Sequence, residues 1–174
     1  APAPAPAPPA QEYLILNSFF YETLNLKGFA RVKRWTRSVD IFSLHKVIFP
    51  VHLGNHWCLA CINVAARRFE YYDSFLSPNH HCMRLMRQYL LDEWRDKAAR
   101  YPRPTAELDL AEWTDYSPSD PALLPPQSNG YDCGLFMCTY ANCVAADMPF
   151  LFSQENMVLL RQRMILAIVD EKVD

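Results

Sequence analysis

The sequence lacks a charge excess of either sign: 17 Lys and Arg against 19 Asp and Glu leave a formal net charge of −2 over 174 residues. A surface that neutralises phosphates needs a basic field, so no nucleic-acid partner is expected. No apolar run reaches the roughly 18 residues that span a bilayer, and the N-terminus lacks the basic-then-apolar layout of a secretory signal. A soluble, intracellular protein without a membrane partner is therefore expected. Internal repeats are missing as well. So are a second Cys-x-x-Cys and a His-x-His pair to complete a zinc site with Cys58-Leu59-Ala60-Cys61.

What is present is enough apolar sequence, about half of the chain, for one ordinary core. Residues 1–10 alternate Ala and Pro and read as an extended, solvated arm, which leaves 11–174 as a single domain. A chain this long and apolar has no need of disulfide staples, so its six cysteines are expected as free thiols. Cys58 and Cys61 fall within a strand-like run, where positions three apart face opposite sides. They read as buried structural thiols, and neither metal nor cofactor is expected.

Leu14, Leu16, Phe19, Phe20, Leu24 and Leu26 are spaced for a helix over 14–26 with Gly28 just past its end. Segments 46–52, 57–64 and 68–72 are rich in Val, Ile, Phe and Tyr, and predict a three-stranded antiparallel meander. The Ser77-Pro78-Asn79 cluster can cap a helix over 80–100 that carries Cys82, Leu85, Met86, Tyr89, Leu90 and Trp94 on one stripe. A proline-rich loop with a short strand near 113–116 follows. Helices are predicted over 133–146 and 154–169, the second with Met157, Leu160, Met164 and Ile168 on its apolar side. The class is α+β.

Chemistry concentrates around Cys133. It follows the turn-forming run Gln127-Ser128-Asn129-Gly130-Tyr131-Asp132 and opens an apolar helix, so its thiol sits at a helix N-terminus, where a thiolate is favoured. A general base is then needed. Of five histidines, His56 lies at the start of a buried strand beside an aromatic, whereas His80 and His81 look like solvent-facing helix starts. Asp73, ending the next strand, can hold the His56 imidazole in the right tautomer. Gln127 can place a side-chain amide beside the Cys133 N–H, as an oxyanion donor. Asp132 reads as a turn or cap residue without chemistry. Taken singly, each residue is more often structural; together they point to acyl transfer.

The strings Val32-Lys33-Arg34-Trp35-Thr36 through Val39-Asp40-Ile41-Phe42, then His52-Leu53-Gly54-Asn55-His56-Trp57, Tyr71-Tyr72-Asp73-Ser74, and Gln127-Ser128-Asn129-Gly130-Tyr131-Asp132-Cys133-Gly134 resemble the sentrin-specific (SUMO-specific) cysteine protease family. The resemblance runs on to Arg161-Gln162-Arg163-Met164. It implies a papain-like α+β fold, with a central antiparallel sheet packed by helices. It also implies cleavage after the C-terminal Gly-Gly of SUMO, in maturation of precursors and release of conjugates. Position by position it gives His56, Asp73, Cys133 and Gln127 the roles argued above.

The resemblance further implies that Trp35 and Trp57 face each other across the substrate tail in a slot too narrow for a Cβ, although taken alone either indole would read as core packing. It makes Asp40 a contact for an arginine of the modifier; the alternative is a solvated acid near a strand start. SUMO and SUMO-conjugated proteins are the implied partners of a monomer acting in nucleus or cytoplasm. The family domain begins well before Asn17-Ser18-Phe19-Phe20, so its N-terminal part is expected to be missing. Two other readings compete: the same chemistry on another ubiquitin-like modifier, and a non-catalytic module that binds SUMO. Four intact catalytic-type residues argue against the second.

Overall fold

The computed structural model describes residues 13–101 and 107–170; the Ala/Pro arm expected at 1–10 lies outside them. The predicted meander is present as β2 (Lys46–His52), β3 (Trp57–Asn63) and β4 (Arg68–Tyr72), antiparallel throughout. Two short strands flank it, β1 (Tyr13–Ile15) beside β2 and β5 (Thr114–Tyr116) beside β4, both parallel to their neighbours. The sheet is therefore mixed, five strands in the order β1-β2-β3-β4-β5, with the expected antiparallel part at its centre.

β1 corrects the first predicted helix. Leu14 and Leu16 belong to an extended edge segment whose pairing ends with Leu16 N–H donating to Ile48 O at 2.9 Å. The helix starts only at α1 (Phe19–Lys27), after the Asn17 side chain accepts from Phe19 N–H at 3.0 Å. Alternation of leucines at 14 and 16 fits a strand as well as a helix, and the available edge of β2 decided between them. α1 closes where expected: Gly28 adopts φ 72° and its N–H reaches Leu24 O at 3.0 Å, a left-handed backbone that favours glycine. A single turn, α2 (Phe29–Val32), follows.

α3 (His80–Lys97) is capped by Asn79, whose side chain accepts from Cys82 N–H at 2.9 Å. α4 (Cys133–Ala145) matches its prediction, and the last helix divides into a 3-10 turn (Gln154–Asn156) and α5 (Met157–Val169). On α5 Met157 is buried and Leu160 and Met164 are half-covered, but Ile168 is exposed, so the apolar stripe outruns what covers it.

The sheet divides two apolar clusters. Val47, Phe49, Val51, Cys58, Ala60, Ile62, Phe69 and Tyr71 face α1 and α3, where Phe20 meets Phe49 and Tyr89 edge-on. Ile48, Leu59, Cys61 and Tyr72 face α4, with Phe136 and Tyr140. β3 is covered on both faces, which is why its sequence reads as a continuous apolar run. Cys58 and Cys61 point to opposite clusters, as the strand period requires. Among the described residues no helix is long and apolar enough to cross a membrane.

Candidate active site

Where β3 starts and β4 ends, the antiparallel register brings two chain segments together. His56 immediately precedes β3 and Asp73 immediately follows β4. Their side chains meet, with His56 Nε2 2.5 Å from Asp73 Oδ1. The carboxylate can only accept, so Nε2–H donates in this bond and Nδ1 is the ring nitrogen left for a second partner. Asp73 is buried and the imidazole is half-buried. Asp73 Oδ1 also accepts from Phe75 N–H at 2.9 Å, an Asx turn that fixes the carboxylate. The Phe75 ring stacks on the imidazole, with centroids 4.7 Å apart and planes 27° apart.

Cys133 is the first residue of α4 and is buried. The adjoining Gly134 backs onto the strand that His56 opens: a Cβ built there would lie 3.7 Å from Trp57 Cδ1. The helix start and the strand end next to His56 are thus in contact. Burial pushes the thiols of Cys58, Cys61, Cys82, Cys138 and Cys143 above their ordinary range. Those five stay protonated at neutral pH and are poor nucleophiles.

Gln127 joins the same cluster through Ser74, the residue after Asp73. Gln127 N–H donates to Ser74 O at 2.9 Å, and Ser74 Oγ donates to Gln127 Oε1 at 2.6 Å. With its oxygen held by a hydroxyl, the amide donates one N–H to Asn129 O and has a second for another acceptor. Tyr140 Oη, on α4, donates to Pro125 O and ties this loop to the helix that carries Cys133. Ser74 and Phe75 had no role in the sequence reading.

Asp132 occupies the N-cap position of α4 without a capping side-chain bond, which corrects part of the cap reading. It accepts instead from Asn129 Nδ2 at 2.7 Å, Gln154 Nε2 at 2.8 Å and Arg161 at 2.5 Å. Burial works against its charge, yet these three bonds and the Arg161 charge outweigh it and hold the carboxyl below the ordinary carboxylate range. The group fastens α5 to the start of α4. His80 and His81 are exposed on α3, away from this chemistry, with His81 on Asn25.

Trp35 and Asp40 lie on the segment between α2 and β2. Trp35 is half-buried and packs its ring 5.6 Å from Phe20 on the first cluster. Trp57 packs against the second cluster and stacks on His52 at 4.2 Å. Asp40 is half-buried and caps the 3-10 turn Ile41–Ser43, accepting from Phe42 N–H at 3.2 Å. A cavity of about 360 Å³ lies at the other end of the strands, between Lys46, Glu70, Tyr116 and Phe150. Its charged groups are already paired, Glu70 with Asn63, Arg68 and Tyr72, and Lys46 with Val144 O and Asp147.

Comparison with known proteins points to one family. The model of the Ulp1 protease family, C-terminal catalytic domain, matches residues 7–173. A sentrin-specific protease of Caenorhabditis elegans is 40% identical over 157 residues, which is 90% of this chain and 21% of that protein. Sentrin-specific protease 2 of Rattus norvegicus is 36% identical over 158 residues, 91% of this chain and 26% of that protein. The chain thus spans about a quarter or less of the curated relatives it matches. Among solved structures, the C-terminal Ulp1 protease domain in complex with Smt3, the yeast ortholog of SUMO, superposes with a TM-score of 0.71 at 27% identity, covering 88% of this chain and 65% of that one. The Ulp1-like SUMO protease catalytic domain of Chaetomium thermophilum shares the fold, with a TM-score of 0.79 at 21% identity over 97% of this chain and 65% of that one. The chain belongs to the Ulp1 protease family, and its match is to the family's C-terminal catalytic domain.

Proposed function

We propose that this chain is the catalytic part of a SUMO-specific cysteine protease, cleaving after a C-terminal Gly-Gly to mature precursors and to release conjugates. The observation that carries this is the 2.5 Å bond between His56 Nε2 and Asp73 Oδ1, formed beside the N-terminus of the helix that Cys133 opens. With Nε2 committed to Asp73, Nδ1 takes the Cys133 proton and the thiolate attacks the glycine carbonyl. The oxyanion is held by the Cys133 N–H, in the first turn of α4 where backbone donors lack intrahelical acceptors, and by the second N–H of Gln127. Collapse of the adduct expels the amine, which leaves with the proton from His56. Water, deprotonated by the same nitrogen, then hydrolyses the thioester.

Trp35 and Trp57 are proposed to enclose the glycine tail from the two apolar clusters, and Asp40 to meet an arginine of the modifier. An exposed ion pair contributes under about 1 kcal/mol, so Asp40 tunes recognition and does not create it. The similar Ulp1 domain, a SUMO protease solved in complex with Smt3, the yeast ortholog of SUMO, supports SUMO as the modifier. Six unpaired cysteines fit a reducing compartment, in accord with action in nucleus or cytoplasm. The test is covalent capture by SUMO carrying a C-terminal electrophile, beside ubiquitin and other modifiers carrying the same group. Wild type should be labelled by SUMO and Cys133→Ser should not. Labelling that survives Cys133→Ser sinks the mechanism, and preferential labelling by another modifier sinks the substrate assignment.

A further inference from the structure

Behind the His56–Asp73 pair stands a third donor that the proposed reaction does not use. Cys58 is two residues beyond His56, so the two side chains leave the strand on the same face. The antiparallel pairing of β3 with β4, in which Leu59 faces Tyr72, sets Cys58 opposite Asp73 when carried one step further. As a result the ligand atoms of His56, Cys58 and Asp73 all lie within 4.8 Å of one another, the one such cluster of His, Cys, Asp and Glu among the described residues. Cys58 and Asp73 are 1% and 5% exposed, so the trio is built into the protein and is not a chance surface grouping. Tyr71, two positions before Asp73 and on the same face of β4, is buried on this side of the sheet, and its hydroxyl accepts from Asn79 Nδ2 at 3.3 Å.

An imidazole nitrogen, a sulfur and a carboxylate oxygen form the donor set of zinc-class cations and suit neither magnesium nor calcium. Bonds of about 2.0 to 2.3 Å are within reach of three atoms so spaced, once the imidazole and carboxylate part to admit the ion. We propose that His56 Nε2, Cys58 Sγ and the Asp73 carboxylate form a binding site for a zinc-class divalent cation that competes with the His56–Asp73 hydrogen bond. The fourth tetrahedral position is left to water. The protons balance simply: the cation displaces the thiol proton of Cys58 to solvent, and the proton on Nε2 moves to Nδ1. Nδ1 then holds a proton where the nucleophile needs a lone pair. Occupancy therefore switches the enzyme off without touching Cys133. The binding stands without the protease reading; the inhibition rests on it.

The experiment uses the full chain as Cys133→Ala, so that the nucleophile cannot supply a ligand, and titrates it with cobalt(II) as the probe. One equivalent should bind with a near-ultraviolet thiolate-to-cobalt band, and zinc should displace it. Adding Cys58→Ala should abolish the band and weaken binding by at least about 100-fold. Cys58→Ser, which keeps the side-chain volume, should lose the band in the same way should the alanine variant misfold. A band that persists without Cys58, binding to wild type that vanishes in Cys133→Ala, or no stoichiometric binding would each overturn the site. In wild type, zinc should inhibit turnover reversibly, with a chelator restoring it; zinc bound through Cys58 with turnover unchanged would overturn the competition. A wild type with no turnover at all would count against the protease reading and leave the cobalt result standing.

Discussion

The segment that carries Trp35 rests on a buried ion pair, and removing one half of that pair should be among the most damaging single changes in the domain. Lys97, at the end of α3, is 2% exposed and donates to Thr36 O. Glu93, one helical turn earlier and 0% exposed, accepts from Thr36 Oγ1 at 2.6 Å and has its other oxygen 3.7 Å from Lys97 Nζ. Lys97→Met keeps the length of the side chain and removes the charge. It leaves a carboxylate in the core without its counter-charge, and a buried carbonyl without its donor. Breaking such a pair from one side costs about 3 to 5 kcal/mol. Most single domains are stable by about 5 to 15 kcal/mol, so the variant should still fold at 25 °C, with a clearly lower urea midpoint.

Burial raises the Glu93 carboxyl above its ordinary range, against the opposing Thr36 hydroxyl and Lys97 charge. Lys97→Met removes one of those opposing influences and raises it further. A carboxyl held up in the folded state favours folding below its unfolded value and loses that contribution as pH rises through its folded value. The deficit of Lys97→Met should therefore be smallest in acid and grow towards neutrality. Glu93→Gln added to Lys97→Met should recover part of the loss, because the orphan charge is gone. Urea unfolding followed by tryptophan fluorescence from pH 5 to 8 reads all three. A Lys97→Met deficit below about 1 kcal/mol, or one that adds to that of Glu93→Gln without recovery, would refute the reasoning.

Gln127→Ala should lower kcat by about 100- to 1000-fold with little change in KM if, as proposed, its second N–H acts on charge that develops in the transition state; steady-state cleavage of a SUMO fusion checks this. Asp73→Ala should cost kcat about 100-fold or more, whereas Asp73→Asn should fall less, because an amide oxygen can still accept from Nε2–H and loses only the charge. Arg161→Met removes one bond and the counter-charge from Asp132. Because Asp132 is held below its ordinary range, its contribution to stability is present at neutral pH and lost as pH falls through the folded value. The stability gap between wild type and Arg161→Met should accordingly close on acidification in a pH series of thermal melts.

The strands that hold the site were legible because β3 is covered on both faces and its neighbours carry β-branched and aromatic residues at strand spacing. The helix ends were legible where a local device fixes them: Gly28 with its positive φ, and Asn79 with its side chain on Cys82 N–H. β1 was not, because a three-residue edge strand takes its structure from the partner it pairs with, here Lys46 to Ile48, some thirty positions away. His56, Asp73 and Gln127 stood out as candidates by residue type and place in their elements, and the structure brings them into one cluster. What those cues do not carry is how each side chain is held. The Ser74 hydroxyl that turns the Gln127 amide, the Phe75 ring over the imidazole and the Asp132 bonds to Gln154 and Arg161 depend on contacts across loops.

Cys58 shows the limit from the other side. Its partner three positions on, Cys61, drew notice as a metal motif, and the strand period rightly separated them. The same period links Cys58 to His56 two positions back, and the hairpin register links it to Asp73. Neither link is a sequence motif, since one donor lies on the adjacent strand and the spacing in the chain carries no metal signature. His56 and Asp73 meet where one strand starts and the next ends, and the strand period puts the second residue of β3 on their side of the sheet. Because that residue is a cysteine, the arrangement proposed to orient the base also brings together the three ligands proposed to silence it.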